Sequence, residues 1–339
     1  MARITKTKTI SVLSLLIAAI VCGAGYYYYF YQGVSAPSSH DKTPHSIAVS
    51  QTPLSAPFLV AQEMGLFKKN GINVDIKPCF GGVACAKLLF TGDADYATAS
   101  ESVVMFNAFE HNNFSVLTSF VESDNDLRLL TINGNKITSI FDLIGKKVGV
   151  VKASASEFYF DSLLRVNNIP PDNVEKVYLP PESLIPSLLG FKIDAMSAWE
   201  PYGYELDMQV GPKVIDLGIS GIYQLSFNLL TLNEHLADNA FNDGLLRSLR
   251  EAILWINSNP DSAQNLLATK LDLPKAQLQW SWHNYVFRLS MGNSLLSNLQ
   301  LQSRWALNGQ LVSGKQPDFR TILANDALNR VLHEHGGDK

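Results

Sequence analysis

Hydrophobic and polar positions follow a strand period and a helix period in turn from residue 46 onward. Residues 46–49, 72–79 and 96–99 have the short apolar runs or the alternation that are typical of strands. Between them, residues 57–69 and 81–90 have apolar side chains at helical spacing, and a glycine follows each segment. The pattern therefore predicts a βαβαβ unit with a parallel sheet and right-handed crossovers.

The same order of elements recurs in the middle of the chain. Strand-like and helix-like segments alternate over residues 147–151, 156–166, 174–179, 184–189 and 193–198. The ends of the two units are also similar in sequence, because Asp95 aligns with Asp194, Ala99 with Ala198, and Glu101 with Glu200. A duplicated unit predicts two similar lobes, and a ligand commonly binds between lobes of this kind.

Two extended stretches flank the second unit, over residues 127–132 and 224–232, where two hinge strands between the lobes would lie. From residue 240 the pattern is helical, with one helix expected over 273–289, and no strand is predicted there. We expect this helical C-terminal tail to pack on the first lobe. The sequence thus predicts a two-lobe α/β fold in which lobe 1 comprises residues 46–130 and 228–339 and lobe 2 comprises residues 131–227.

The N-terminal segment is predicted to lie outside the fold. Basic residues precede an apolar stretch over residues 10–31, which is about long enough to span a bilayer, and they hold that end in the cytoplasm. A cleaved signal peptide is the alternative, but Pro37 follows the small-residue site and disfavours cleavage. We assign residues 1–34 to a retained signal anchor in the inner membrane and residues 35–45 to a polar linker, which places the rest of the chain in the periplasm or another extracytoplasmic space.

Composition and charge exclude several classes of protein. The chain has 339 residues, of which 46% are hydrophobic and 17% charged, so it is globular and long enough for two domains. The formal net charge of −4 and the absence of long basic runs argue against nucleic-acid binding. The histidines are scattered without metal-ligand spacing, and no P-loop or dinucleotide-binding glycine motif is present. We expect no metal, no cofactor and no enzymatic activity.

Two cysteines lie in the predicted extracytoplasmic part of the chain. Cys79 and Cys85 bracket a short loop that contains Gly81 and Gly82. An oxidising compartment favours a disulfide between the two cysteines. Two buried thiols are the alternative, because a bridge requires a particular local geometry. The sequence leaves both alternatives open.

Candidate ligand-binding residues follow the predicted strands, because ligands of open α/β sheets bind beyond the carboxyl ends of the strands. The candidates are Ser55, Phe80, Gly81, Gly82, Ser100, Glu101, Ser154, Ser156, Trp199 and Glu200. The two glutamates either accept hydrogen bonds from a ligand amine or form salt bridges between the lobes or at the hinge. No arginine lies in these loops, so an anion would depend on serines, backbone amides and Lys152. This favours a ligand of modest charge or a zwitterion.

The other candidates also have structural alternatives. Ser154 and Ser156 precede a predicted helix, so they cap it, hold an anion together with the helix N-terminus, or divide the two roles between them. Gly81 and Gly82 either form a tight turn or allow a ligand to approach the backbone closely. Trp199 either fills the core or stacks on a ligand, and its position at a strand end favours the ligand.

Five segments of the sequence resemble one family in their order and spacing: residues 57–67, 70–74, 92–95, 142–150 and 198–202. They are similar to segments of the SsuA/THI5/NMT1-like substrate-binding proteins, and the resemblance runs from about residue 46 to the C-terminus. It implies the type II periplasmic-binding-protein fold. It also implies a monomeric receptor that closes on a small solute and delivers it to the permease and ATPase of an ABC importer.

The resemblance does not identify the solute. Members of the family bind alkanesulfonates, taurine, nitrate or pyrimidine precursors of thiamine. Fungal relatives synthesise the thiamine pyrimidine with a cysteine-rich motif, which is missing from this sequence, so binding rather than catalysis is expected. The first alternative is a membrane-anchored ligand sensor that partners a signalling system. The second alternative is a pyrimidine-synthesis enzyme.

Overall fold

The computed structural model describes residues 44–334, in which eleven strands form two sheets. In chain order the strands are β1 (His45–Ser50), β2 (Val74–Cys79), β3 (Tyr96–Ser100), β4 (Phe114–Ser123), β5 (Leu127–Ile132), β6 (Lys147–Val150), β7 (Glu175–Tyr178), β8 (Ala195–Trp199), β9 (Val214–Asp216), β10 (Leu225–Leu232) and β11 (Val286–Ser290).

Twelve α-helices lie in the same range of residues. In chain order they are α1 (Ala56–Glu63), α2 (Leu66–Lys69), α3 (Gly81–Phe90), α4 (Glu101–Glu110), α5 (Ala155–Val166), α6 (Leu184–Leu189), α7 (Tyr202–Val210), α8 (Asn239–Ser258), α9 (Pro260–Leu271), α10 (Lys275–Ser281), α11 (Asn293–Asn308) and α12 (Asp326–His333).

The two sheets have related topologies. The first has the strand order β11-β4-β10-β3-β1-β2, in which β1, β2 and β3 are parallel and β10 and β11 are antiparallel to their neighbours. The second has the order β7-β6-β8-β5-β9, in which β6, β7 and β8 are parallel and β5 pairs antiparallel with both β8 and β9. The repeated βαβαβ pattern and the two-lobe α/β fold predicted from it are confirmed.

The repeated aspartates make the same contacts in both lobes. The Asp95 carboxylate accepts a hydrogen bond from the backbone N–H of Ser46 in β1, at 2.8 Å. The Asp194 carboxylate accepts one from the backbone N–H of Lys147 in β6, at 2.9 Å. Each aspartate donates its own backbone N–H to the carbonyl of the same partner, at 3.0 and 2.7 Å. The repeat therefore fixes the start of one parallel strand to the turn before its neighbour.

The chain passes between the sheets twice. Strand β4 ends at Ser123 in the first sheet, and β5 begins at Leu127 in the second. The return runs from the end of β9 at Asp216 to the start of β10 at Leu225. Residues 127–130, which the sequence analysis places in lobe 1, are hydrogen-bonded in the second sheet, because β5 pairs with β8.

The C-terminal tail differs from the expectation in one element. Part of the segment predicted as a helix over 273–289 forms α10, but its end forms β11, which pairs antiparallel with β4. Val286 and Arg288 are exposed while Phe287 between them is buried, and this alternation is the period of a strand. The prediction of a tail without strands is therefore wrong. Helix α8 packs on α1 and α2 of the first lobe, as expected.

Buried apolar side chains fill the space between the sheets and their helices. Phe58 of α1 meets Phe120 of β4 edge-on, with ring centroids 5.0 Å apart. The same apolar cluster continues into the second lobe through Leu129 of β5 and Phe160 of α5. A separate, smaller cluster in the second lobe surrounds Met196 of β8. The lobes therefore share apolar contacts near their crossings.

No helix within residues 44–334 is both long enough and apolar enough to cross a membrane. The predicted signal anchor over residues 1–34 lies outside the described residues, and so does most of the predicted linker. His45, the last residue assigned to that linker, is instead the first residue of β1 and pairs with Val74 of β2.

Candidate ligand-binding site

A cavity of about 480 Å³ lies where strands of both sheets end. The last residues of β1, β3 and β8 line it: Ser50, Ser100 and Trp199. Open α/β sheets offer this position to ligands, beyond the carboxyl ends of their parallel strands. The walls are mainly apolar and include Leu54, Val103, Leu127, Leu225 and Phe227.

The loop bracketed by Cys79 and Cys85, which consists of Phe80 and the first residues of α3, forms one wall of the cavity. Phe80 is 86% exposed at the edge of the cavity, and Gly81 and Gly82 line it. Gly81 has a φ of +78°, which other residues rarely adopt, and a Cβ on Gly82 would lie 3.0 Å from backbone atoms of β3. A disulfide joins Cys79 to Cys85 and closes the loop. The structure therefore decides the alternative that the sequence left open for the cysteines.

The two serines before α5 hold their own loop together. Ser154 is the N-cap residue: its Oγ accepts a hydrogen bond from the backbone N–H of Ser156 (3.2 Å) and donates to the carbonyl of Val151 (2.6 Å). The Oγ of Ser156 accepts from the backbone N–H of Val151 at 3.1 Å. Ser154 also lines the cavity, whereas Ser156 is fully buried and does not.

Ser100 and Trp199 occupy matched positions on the two sides of the cavity. Ser100 caps α4, where its side chain accepts from the backbone N–H of Val103 at 3.5 Å. Trp199 is half-buried and meets Tyr202 edge-on, with ring centroids 6.2 Å apart. A hydroxyl therefore lines the cavity from the first sheet, and an indole lines it from the second.

Two predicted residues of the first lobe lie outside the cavity lining. Glu101 is fully buried and accepts hydrogen bonds from the backbone N–H of Ser226 (2.7 Å) and from Gln302 Nε2 (3.1 Å). Burial raises the pKa of Glu101 to about 7. Ser55 is also fully buried, and its neighbour Leu54 lines the cavity instead. Glu101 thus connects α4 to β10 and to the C-terminal tail.

Glu200, the counterpart of Glu101, is likewise buried and does not line the cavity. Its carboxylate accepts hydrogen bonds from Arg128 Nε (3.4 Å), from Trp280 Nε1 (3.0 Å) and from the backbone N–H of Tyr204 (3.1 Å). Trp280 belongs to α10 in the C-terminal tail, so Glu200 connects the second sheet to that tail. The ion pair with Arg128 lies on β5, one of the two expected hinge strands, and so matches the hinge salt bridge considered for this glutamate.

Asp126, which is absent from the residues predicted from sequence, lines the cavity in the first crossing between the sheets. Its Oδ1 accepts a hydrogen bond from the Tyr285 hydroxyl at 3.0 Å, while its buried Oδ2 has no partner within the described residues. Burial, and then the Glu200 carboxylate, raise the pKa of Asp126 to about 7. Lys87 and Lys152 also line the cavity. The polar run between β4 and β5 is the sequence signal that could have located Asp126.

The chain is similar to known binding proteins in sequence and in fold. The family model described as NMT1/THI5 like matches residues 52–263. A putative aliphatic sulfonates-binding protein of Bacillus subtilis (strain 168) is 24% identical, and the match covers 96% of this chain and 99% of that protein. The periplasmic aliphatic sulphonate binding protein SsuA from Escherichia coli matches in structure with a TM-score of 0.73 and 18% identity, over 83% of this chain and 92% of its own.

The same fold also occurs in an enzyme. The desulfurization enzyme DSZB matches with a TM-score of 0.64 and 15% identity, over 86% of this chain and 99% of its own. Because one fold can carry unrelated functions, the fold alone does not separate binding from catalysis. That distinction depends on the residues that line the cavity.

Proposed function

This chain belongs to the NMT1/THI5-like family, and we propose that it is the extracytoplasmic solute-binding component of an ABC importer. The observation that carries this proposal is the cavity at the carboxyl ends of parallel strands from both sheets. Its volume of about 480 Å³ lies within the range of pockets that hold one small molecule. Because both lobes supply its walls, a bound solute favours their closure, and the permease and ATPase would recognise the closed form.

We propose a solute with an apolar part and an anionic headgroup, and aliphatic sulfonates are the first class to test. The apolar walls suit an alkyl chain. The N-termini of α3 and α5, together with Lys87 and Lys152, suit an anionic headgroup because orphan backbone amides and positive charge attract anions there. A zwitterion such as taurine would in addition bring an amine to the Asp126 carboxyl.

Binding rather than catalysis is supported by the side chains around the cavity. Among the described residues that line it there is no histidine and no cysteine, and Asp126 is the one carboxylate. The lining therefore has no histidine-based nucleophile–base pair, no cysteine nucleophile and no pair of carboxylates. In this proposal the N-terminal segment retains the receptor at the inner membrane, facing the periplasm.

Isothermal titration calorimetry of the purified chain tests the proposal. The ligands are alkanesulfonates of increasing chain length, taurine, nitrate and the thiamine pyrimidine. We expect alkanesulfonates to bind, with affinity rising about fourfold for each methylene, since a buried CH₂ contributes about 0.8 kcal/mol. Saturation without any dependence on chain length would contradict the proposed use of the apolar walls, and no binding by any of the four ligand classes would contradict the receptor function.

Two tryptophan variants locate the binding site. Trp199→Ala removes the indole at the end of β8 and is expected to lower the affinity at least tenfold. Trp282→Ala is the matched control, because Trp282 packs against Phe287 in the C-terminal tail and does not line the cavity. An equal loss of affinity in both variants would show that the effect is not specific to the cavity.

A further inference from the structure

A second cluster of polar side chains lies at the opposite edge of the first sheet from the cavity. His45 begins β1, Asp95 directly precedes β3, and His235 follows β10. These three strands are adjacent in the sheet order, so the fold brings together two histidines that are far apart in sequence. All three side chains are half-buried. The cluster is therefore accessible from solvent and separate from the proposed solute site.

The two histidine rings face the two oxygens of one carboxylate. His45 Nδ1 lies 3.4 Å from Asp95 Oδ2, and His235 Nε2 lies 3.6 Å from Asp95 Oδ1. One donor atom from each residue lies within 4.8 Å of the other two. Two ligands of a tetrahedral zinc ion, each at about 2.0–2.1 Å from the metal, are about 3.3–3.5 Å apart. Small side-chain movements would therefore bring the three donors to one ion.

The backbone hydrogen bonds that Asp95 makes do not explain why two histidines lie beside it. Asp194 binds the backbone N–H of Lys147 in the second lobe as Asp95 binds that of Ser46 in the first. Residues 131–227, which contain that second contact, include no histidine. The hydrogen bonds that the repeated aspartate makes are thus complete without an imidazole, and the first lobe adds two.

The surroundings of His45 orient its ring for a ligand role. Its Nε2 lies 3.6 Å from Asp238 Oδ2, and a metal-binding histidine commonly donates its second ring N–H to a carboxylate. The ring also packs on Phe241, with centroids 4.2 Å apart, and meets Tyr96 edge-on. An Nε2–H directed at Asp238 would leave the Nδ1 lone pair facing an Asp95 oxygen. A metal cation between these two acceptors would then satisfy both.

We propose that His45, Asp95 and His235 bind one divalent transition-metal cation, with zinc as the best fit to two imidazoles and a carboxylate. Three protein ligands leave a fourth position for water. The exposed Glu234, whose Oε1 lies 3.7 Å from His235 Nε2, adds negative charge beside the ion. A bound ion would join β1, β3 and β10 at one edge of the first sheet and stabilise the folded chain.

Titrations of the full chain, untagged and stripped of metal with a chelator, test this site. We expect one Zn²⁺ to bind per chain in calorimetry, Co²⁺ to give the visible bands of tetrahedral coordination, and Zn²⁺ to raise the melting temperature. His235→Gln is expected to lower the Zn²⁺ affinity at least tenfold and to abolish the thermal shift. His283→Gln, which alters an exposed histidine elsewhere, is expected to bind Zn²⁺ as the wild type does.

A second pair of variants separates the metal from the structural role of the aspartates. Asp95→Asn and Asp194→Asn change the same backbone contact in the two lobes, but only the first is expected to lower the Zn²⁺ affinity. If Asp95→Asn does not fold, the comparison of His235→Gln with His283→Gln decides. Failure of wild type to bind one Zn²⁺, or equal Zn²⁺ affinity in wild type and His235→Gln, would overturn the proposal. Solute binding is expected to be unchanged in His235→Gln.

Discussion

At the scale of single residues, burial changes the properties of the carboxyl groups around the cavity. Asp126 and Glu101 both have a pKa raised to about 7, in each case mainly because burial disfavours the charged form. Glu101 has several hydrogen-bond donors around it, whereas one oxygen of Asp126 has no partner within the described residues. Asp126 is therefore the carboxyl group whose ionisation should affect stability most directly.

Replacement of Asp126 should change how stability depends on pH. The unfolded carboxyl ionises near pH 4, whereas the folded one ionises near pH 7. Between these values the folded protein binds more protons, so the contribution of Asp126 to the free energy of unfolding falls as the pH rises and is constant above pH 7. We therefore expect the free energy of unfolding of the wild type, relative to that of Asp126→Asn, to fall between pH 4 and pH 7. The slope in urea unfolding should be up to about 1.4 kcal/mol per pH unit.

Asp142 provides a control of opposite sign. It is exposed, and hydrogen bonds from the backbone N–H groups of Thr138 and Ser139 lower its pKa. Its favourable contribution is present above the unfolded pKa and is lost as the pH falls through the folded pKa. Asp142→Asn should therefore differ from wild type in pH dependence only below about pH 4.

The Asp126 prediction has a clear contrary outcome. If the free energy of unfolding of wild type and of Asp126→Asn depends on pH in the same way between pH 4 and 7, the role of Asp126 is contradicted.

Gly82 is a position where one added methyl group should disturb the site. Its Cβ would lie 3.0 Å from Ala99 Cα and from the Ser100 backbone nitrogen, and backbone atoms cannot move aside cheaply. We expect Gly82→Ala to lower the free energy of unfolding by about 1–3 kcal/mol and to weaken solute binding. Gly134→Ala is the control, because its Cβ would meet only the Phe191 ring at ordinary distances. Equal stabilities of the two variants in urea unfolding would refute this expectation.

At the scale of elements, the disulfide joins the end of β2 to α3 across the loop that lines the cavity. Because it closes a short loop, we expect its removal in Cys79→Ser/Cys85→Ser to lower the free energy of unfolding by about 2 kcal/mol. Solute affinity should fall as well, since the loop is no longer held in one conformation. Denaturant unfolding and calorimetry with and without a reductant measure both effects.

The double variant also supplies the control for that experiment. A reductant should destabilise the wild type and leave Cys79→Ser/Cys85→Ser unchanged. If the reductant lowers the stability of both proteins equally, its effect does not come from this bridge.

At the scale of the whole molecule, the C-terminal tail contacts both lobes. Trp305 of α11 donates its Nε1–H to Asp161 Oδ2 of α5 at 2.9 Å, and Lys176 Nζ lies 3.0 Å from the same oxygen. Phe158 of α5 also meets the Trp305 ring edge-on, with centroids 5.1 Å apart. The expectation that the tail packs on the first lobe is thus incomplete, because α11 reaches a helix of the second lobe.

Loss of this contact should destabilise the protein. Trp305→Phe retains an aromatic ring but removes the donor to a buried carboxylate, which should lower the free energy of unfolding by about 1–3 kcal/mol. Trp282→Phe is the matched control, since Trp282 is half-buried within the tail. Chemical unfolding of both variants tests the prediction. A larger loss in the control would indicate that the ring volume, and not the Asp161 contact, determines the effect.

The sequence by itself determined the repeated architecture, because local periodicity and turn residues specify strands and helices without reference to distant segments. The alignment of Asp95 with Asp194 predicted matched strands, and both aspartates make the same backbone contacts. Strand β4 escaped prediction because its polar residues are buried along with its apolar ones, so polar and apolar positions do not alternate with the period of two. Strand β11 begins with alternating exposed and buried positions, but it is short and was included in the helix predicted over residues 273–289.

Only the tertiary structure decided which strand-end residues line the cavity. Glu101 and Glu200 hold equivalent positions in sequence, yet their side chains bind groups outside the cavity lining, whereas Asp126 in a crossing segment lines it. His45 and His235 likewise become neighbours of Asp95 through the order of strands in the first sheet. The physical reason is that local pattern fixes where an element ends, whereas side-chain direction and long-range proximity depend on how the elements pack.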